Sequence, residues 1–106
     1  MRGHVYLIWA TGTHRFTIGF TRGDPQRRCA ALQQATPVML TVIASRPGTV
    51  QLEQWIHHCL RTYRVAGEEW VELPEDVVWG VCRWFGMIMP DTPETKTAIE
   101  IPYGHR

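Results

Sequence analysis

Five polar residues stand out in this sequence because their types and spacing suit chemistry at a polar bond. Tyr6 lies in the middle of an apolar run, and Arg27 and Arg28 are adjacent near the start of a predicted helix. Glu53 and His57 are four positions apart, so a helix places them on one face. Together these side chains can hold a cation, bind an anion and move a proton.

These residue types suit the hydrolysis of a phosphodiester bond. A single carboxylate such as Glu53 often holds Mg²⁺ in proteins, with water and substrate phosphate filling the other positions. The metal ion and an arginine stabilise charge on phosphorus, and the oxygen of Tyr6 can orient or deprotonate the attacking water. Because a helix turns by about 100° per residue, Arg64 is expected at the same margin of the helix as Glu53 and His57.

Each of these residues also has a structural interpretation. A tyrosine within a buried strand is usually a core residue, and a Glu–His pair at this spacing is usually helix surface chemistry. Adjacent arginines near a helix start are usually solvated. The run His57, His58, Cys59 is not a transition-metal site, because consecutive positions of a regular helix point in different directions. The residues alone therefore leave the catalytic and structural interpretations both open.

Length and cysteine content limit the class of protein. The 106 residues are enough for one domain with a modest core. The three cysteines, Cys29, Cys59 and Cys82, are far apart and form neither a disulfide framework nor a CxxC zinc pair. The apolar run near the N-terminus is too short for a signal peptide or a membrane span. We therefore expect a cytoplasmic protein that does not bind a membrane.

The net charge of +1 hides an uneven distribution. Residues 1–70 hold eight arginines against four carboxylates, a balance of +4, whereas residues 71–106 hold three cations against six carboxylates, a balance of −3. An ordinary mixed surface explains so small a charge. The alternative interpretation is that the basic residues 1–70 form the functional part of the protein and attract phosphate.

Three strands are predicted to position the polar residues. The apolar run Val5–Ala10 predicts a central strand, and the alternating run Arg15–Phe20 predicts a second strand that forms a hairpin with it. A third strand is expected over Val38–Ala44, followed by a turn at Arg46-Pro47-Gly48. The segment Trp70–Leu73 is expected to be a short extended piece.

Three helices complete the predicted domain. Asp24 caps the first, which runs to about Gln34, and Thr49 caps the second, which is expected over Val50–Tyr63. A third helix is expected over residues 74–89. The predicted fold class is thus α+β, with a small three-stranded antiparallel sheet flanked by helices in the order β-β-α-β-α-α. The predicted domain covers residues 1–89, and residues 90–106 form a tail with an edge strand near Thr97–Ile101.

Five short motifs follow one another along the chain, and their order and spacing are more specific than any one of them. The motifs are His4-Val5-Tyr6, Thr17-Ile18-Gly19 with Phe20-Thr21, Asp24-Pro25-Gln26-Arg27-Arg28 with Leu32, Leu52-Glu53 with His57 and Leu60, and Arg64 with Gly67, Glu69-Trp70 and Leu73. This pattern resembles the GIY-YIG nuclease superfamily. It is most similar to the compact branch formed by the T5orf172 family and its Meiotically-up-regulated-gene-113 relatives.

The resemblance implies a Mg²⁺-dependent endonuclease that acts on DNA, with Mn²⁺ able to replace Mg²⁺. It implies that Tyr6 orients or deprotonates water, that Arg28 binds the scissile phosphate with Arg27 as the competing assignment, and that Glu53 holds the metal. His57 is implied to support the active site. The residues expected to contact nucleic acid are Arg27, Thr17, Arg22 and Arg64. We also expect Glu53 to be the only side-chain carboxylate facing the Tyr6–Arg28 cleft.

Departures from the family pattern favour a second interpretation. Thr17 stands where the family carries tyrosine, or the lysine of the compact branch, and His4 stands in place of glycine. The chain also contains no asparagine, which many of the larger enzymes use. The alternative function is therefore a nucleic-acid-binding or protein-interaction module that has kept the fold and lost turnover.

The third predicted helix carries Trp79 and Arg83 on the side opposite its apolar face. One interpretation is that the C-terminal tail covers Trp79. The other is a partner surface, because an exposed tryptophan backed by arginine is enriched at interfaces. A small nuclease cuts both strands of a duplex most simply as a symmetric pair. The helix over residues 74–89 is therefore predicted to mediate a weak homodimer or contact with a partner protein.

Overall fold

A four-stranded antiparallel sheet organises the protein. The computed structural model describes residues 2–65 and 69–86. The strands are β1 (Arg2–Ala10), β2 (Arg15–Thr21), β3 (Leu40–Thr49) and β4 (Val71–Glu72), in the spatial order β3-β1-β2-β4. The central strand β1 pairs with both β2 and β3. Strand β4 pairs with Arg15 and Phe16 of β2, and its Val71 also forms an isolated bridge with Arg64. The edge of β2 that faces β4 is therefore not paired with any described strand from Thr17 onward.

Strand β3 is longer than the sequence predicts, and the turn expected at Arg46-Pro47-Gly48 is wrong. These residues continue the strand, with Pro47 opposite His4 and Gly48 opposite Gly3 of β1. Proline is tolerated because β3 is an edge strand. A bulge between Leu7 and Ile8 shifts the register of this pairing.

In the part of the chain that the structure describes, three α-helices flank the sheet: α1 (Pro25–Gln33), α2 (Val50–Cys59) and α3 (Glu75–Gly86). Both predicted caps are present, since the Asp24 carboxylate accepts from the Gln26 N–H at 2.9 Å and the Thr49 hydroxyl from the Leu52 N–H at 3.2 Å. Helix α2 ends earlier than predicted. Residues Arg61–Tyr63 form a separate 3₁₀ helix.

The two faces of the sheet are covered differently. Helices α2 and α3 cover the face that carries Val5, Leu7, Phe16 and Ile18, and the buried residues of both helices join them in one apolar cluster. Helix α1 covers the opposite face, where a smaller cluster contains Tyr6, Ile8, Ala10, Cys29 and Leu40. Alternation along β1 therefore directs Tyr6 and its neighbour Leu7 to opposite faces.

The predicted α+β class with an antiparallel sheet and flanking helices is confirmed. The sheet contains β4 in addition to the three predicted strands, at the place of the predicted short extended piece. The predicted boundary at residue 89 and the edge strand at Thr97–Ile101 lie outside the described residues. None of the helices in residues 2–65 and 69–86 is long and apolar enough to cross a membrane.

Candidate active site

A cavity of about 430 Å³ opens beside the unpaired part of β2. It brings together six of the residues singled out from the sequence, which come from β1, β2, α1, α2 and the segment after the 3₁₀ helix. These residues are Tyr6, Thr17, Arg28, Glu53, His57 and Arg64. Residues that are far apart in sequence thus share one concave surface, as expected of a functional site.

Tyr6 reaches the cavity across the backbone of the neighbouring strand. Its cross-strand partner is Gly19, and a methyl group added at Gly19 would overlap the phenol ring of Tyr6. Glycine is therefore required here so that the tyrosine can lie over β2. The ring is 4% exposed, so the fold holds it in a fixed position.

His57 links the helix to the edge of the sheet. Its Nε2 lies 2.8 Å from the carbonyl oxygen of Ile18, and because a carbonyl only accepts, this nitrogen carries a proton and donates. The same Nε2 lies 3.3 Å from Oε2 of Glu53, whose side chain is 22% exposed. This contact places one oxygen of the Glu53 carboxylate beside the His57 ring.

The four predicted cationic contacts occupy different places. Arg28 lines the cavity, and its guanidinium has no hydrogen-bond or ion-pair partner in residues 2–65 and 69–86. Arg64 also lines the cavity, although α2 ends before it, so it does not share the helix face of Glu53 as the sequence predicts. Arg27 and Arg22 are exposed but do not line the cavity.

The expectation that Glu53 is the only carboxylate facing the cleft is wrong, because Glu69 also lines the cavity. Sequence reasoning placed Glu69 and Trp70 in the last motif but gave them no place in the site. Gln54, next to Glu53 on α2, also lines the cavity, but no motif or spacing in the sequence marks it as a site residue. Within the described ranges no three His, Cys, Asp or Glu side chains cluster as a metal site.

None of the three cysteines, all of which lie within the described residues, forms a disulfide. Cys29 and Cys59 are buried, and Cys82 is half-buried. Burial raises the pKa of the Cys29 thiol, against a smaller lowering by a backbone hydrogen bond to Val42, and burial also raises the pKa of Cys82. A raised pKa keeps these two thiols protonated near neutral pH, which suits core residues rather than metal ligands. The cytoplasmic location inferred from the cysteines stays a prediction.

Comparison with known proteins gives one family match. The profile of the T5orf172 domain matches residues 3–86, which include every element from β2 to α3 and nearly all of β1. Comparisons with curated proteins and with solved structures find no match to this chain. The T5orf172 domain is associated with GIY-YIG-like nucleases, and the finer placement beside the Meiotically-up-regulated-gene-113 relatives stays a prediction. Since the match spans most of the sequence and the whole described fold, the chain belongs to the T5orf172 domain family.

Proposed function

We propose that this protein is a Mg²⁺-dependent endonuclease that hydrolyses phosphodiester bonds of DNA. The observation that carries the proposal is that Tyr6, Arg28 and Glu53, from three different elements, line one cavity. A phenol, a guanidinium and a carboxylate are the groups that this reaction uses. Membership of a nuclease-associated family supports the same reaction class.

Arg28 is proposed to bind the scissile phosphate. Its guanidinium can donate two parallel hydrogen bonds to phosphate oxygens, and these contacts strengthen as negative charge develops on phosphorus. The exposed Arg64 on the cavity wall adds a second positive charge. Arg22 and Arg27 lie outside the cavity, and we propose that they contact the DNA backbone away from the reacting bond.

Tyr6 is proposed to orient the attacking water. Its phenol lies over Gly19 at the cavity wall, where the oxygen can accept a hydrogen bond from water or take its proton. The water oxygen forms a bond to phosphorus as the bond to the leaving oxygen breaks, and the leaving oxygen takes up a proton. The products are a phosphate monoester and a free hydroxyl group.

Glu53 is proposed to hold Mg²⁺, or Mn²⁺ in its place. One carboxylate oxygen is turned to His57, and among residues 2–65 and 69–86 there is no cluster of nitrogen and sulfur ligands that would favour zinc. This donor set fits a hard cation that keeps water and substrate oxygens as its other ligands. When bound, the ion would supply charge stabilisation at phosphorus. His57 positions the carboxylate and is proposed to act through it.

The alternative function is a nucleic-acid-binding or protein-interaction module without turnover. Thr17 lines the cavity and is 8% exposed, so the position that the resemblance assigns to tyrosine or lysine contributes neither a phenol nor an ammonium group. A protein that binds DNA at this cavity but never cleaves it would support this alternative.

Nicking of supercoiled plasmid in Mg²⁺ separates the two functions. We expect the wild type to nick the plasmid, Glu53→Ala to be inactive, and Glu75→Ala, an exposed carboxylate on α3, to match the wild type. Calorimetric titration with Mn²⁺ should show binding that Glu53→Ala loses. Nicking by Glu53→Ala at the wild-type rate would reject the metal assignment, and DNA binding without any nicking would select the alternative.

A further inference from the structure

A second cavity adjoins the candidate active site on the α1 side of the sheet. Its volume is about 250 Å³, and it lies between the end of β1, the start of β2 and the segment that joins α1 to β3. Trp70 lines both this cavity and the candidate active site. Trp70 thus belongs to a wall that the two cavities share.

The second cavity is held in shape by hydrogen bonds. The Gln33 side chain donates to the Val38 carbonyl at 2.8 Å and accepts from the Leu40 N–H at 2.7 Å, which fixes the segment after α1. Trp70 is fixed on the opposite side, because its carbonyl accepts from the Val65 N–H at 2.9 Å and the next residue begins β4. The walls are therefore formed before any ligand binds.

The lining suits a flat group rather than a cation. Ala10, Val38 and Leu40 are apolar, Arg15 is paired with Glu72 at 3.3 Å, and none of the described residues that line the cavity is a carboxylate. The Thr13 hydroxyl donates to the Ala10 carbonyl at 2.7 Å, and the Thr36 hydroxyl accepts from the Val38 N–H at 3.3 Å. A cavity of roughly 150 Å³ is enough to hold benzene, so this one can take an aromatic heterocycle.

The spacing of the two cavities fits consecutive nucleotides. Arg15 lines the second cavity and Thr17 the first. They are two residues apart on one face of β2, which corresponds to about 6.6 Å along the strand. One step along an extended nucleic-acid strand covers a similar distance. A phosphate bound beside Tyr6 and Arg28 therefore leaves the neighbouring base within reach of Trp70.

We propose that the second cavity binds the base next to the scissile phosphate, stacked on Trp70. Aromatic side chains bind bases in this way with little sequence preference. A base held there has left the duplex stack, which costs free energy when it is paired. The preferred substrate is therefore single-stranded or unpaired DNA. This inference rests on the proposed nuclease function, whose substrate it narrows.

Binding measurements without turnover test the subsite. Fluorescence anisotropy in EDTA compares oligothymidylate with an abasic oligomer of the same length, and a base-paired duplex. We expect the wild type to bind oligothymidylate about 5- to 100-fold more tightly than the abasic oligomer, as the loss of a stacked base implies, and more tightly than the duplex.

Substitutions that fill the cavity should remove this preference. Ala35→Phe fills it from an exposed position and Val38→Phe from a half-buried one, so both variants should bind the two oligomers about equally. Ala30→Phe is the matched control, because Ala30 is also exposed but lines neither cavity, and it should match the wild type. Circular dichroism checks that each variant is folded.

Several outcomes would overturn the subsite. These are equal wild-type affinity for the two oligomers, stronger binding of the duplex, or folded cavity-filling variants that keep the wild-type preference. Hydrolysis of bis(p-nitrophenyl) phosphate, which contains no base, tests the nuclease proposal separately. A wild type that fails this hydrolysis but discriminates between the oligomers would reject turnover and keep the subsite.

Discussion

Among the described residues, the face of the sheet under α2 and α3 buries fourteen side chains in one cluster, whereas the face under α1 buries five. Helix α1 contributes only Cys29 to the buried set, while α3 contributes Val77, Val81, Trp84 and Phe85. Both described cavities include residues from the face under α1. Trp70, which lines both cavities, packs against the smaller buried cluster on that face.

The difference between the two faces indicates that the α2–α3 side mainly stabilises the fold and that the α1 side mainly forms the candidate site. Apolar burial is the main favourable term in folding, so most of the free energy of folding should come from the α2–α3 side. The α1 side leaves space around Tyr6 and keeps Arg28 without a protein partner in the described residues. Substitutions on the two sides should therefore change different measurements.

The largest expected effect is on the α2–α3 side. Phe85 is 3% exposed and packs edge-to-face on Trp84, with ring centroids 5.2 Å apart. Phe85→Ala should lower the free energy of unfolding by about 3–5 kcal/mol, because a large cavity replaces the ring. Urea denaturation measures this change. Leu32→Ala, at a half-buried site on the other face, is the comparison and should cost less.

An equal loss of stability in the two variants would contradict the division between the faces. Cleavage provides the complementary measurement. At temperatures where Phe85→Ala stays folded, its cleavage rate should match the wild type, whereas Leu32→Ala changes a wall of the cavity and should lower the rate.

Next in size is the effect of removing one arginine. Arg28→Ala should slow cleavage by about 100-fold or more, because a donor to the developing charge is lost. Its free energy of unfolding should stay within about 0.5 kcal/mol of the wild type, as is usual for exposed residues. Arg27→Ala is the matched control, since Arg27 is equally exposed on α1 but does not line the cavity. An inactive Arg27→Ala beside an active Arg28→Ala would reverse the two assignments.

Local signals in the sequence were enough to predict much of this fold. Asp24 and Thr49 cap their helices as expected, because each cap depends on a side chain and the N–H groups two or three residues later. The turn expected at Arg46-Pro47-Gly48 failed for the opposite reason. Pairing with β1, which is far away in sequence, overrides the local turn preference.

The candidate site was predictable only as separate residues. Motif order identified Tyr6, Arg28 and Glu53, but their common cavity depends on how β1, α1 and α2 pack. Glu69 escaped prediction as a cavity residue because an exposed carboxylate outside a helix carries no periodic signal. The backbone carbonyl of Ile18, which receives the His57 hydrogen bond, is likewise invisible in the sequence.

A smaller effect is expected at the point where the two strands place Tyr6. Gly19→Ala adds one methyl group that overlaps the phenol ring, so the ring must move. We expect cleavage to fall by about 10-fold, since displacement of a positioned group weakens proton transfer. Gly23→Ala is the control, because its methyl group would touch only the Thr21 hydroxyl oxygen, at 3.9 Å. Cleavage by Gly19→Ala at the wild-type rate would show that the position of the phenol is unimportant.

The smallest effect on stability is expected on the outer side of α3. Trp79 is 66% exposed, whereas the opposite side of the helix packs into the larger cluster. The C-terminal tail, which one of the two interpretations places over Trp79, lies outside the described residues. The weak homodimer or partner contact therefore stays a prediction. Trp79→Ala should change the free energy of unfolding by no more than about 0.5 kcal/mol, since little of the side chain is buried.

Sedimentation analysis tests whether Trp79 serves association instead. The wild type should show a monomer–dimer equilibrium at high concentration, because an exposed tryptophan beside Arg83 is typical of an interface. Trp79→Ala should weaken it. Met39→Ala is the matched control, because Met39 is 65% exposed but lies just before β3 rather than on α3. A wild type that stays monomeric, or a Met39→Ala variant as impaired as Trp79→Ala, would remove α3 as the interface.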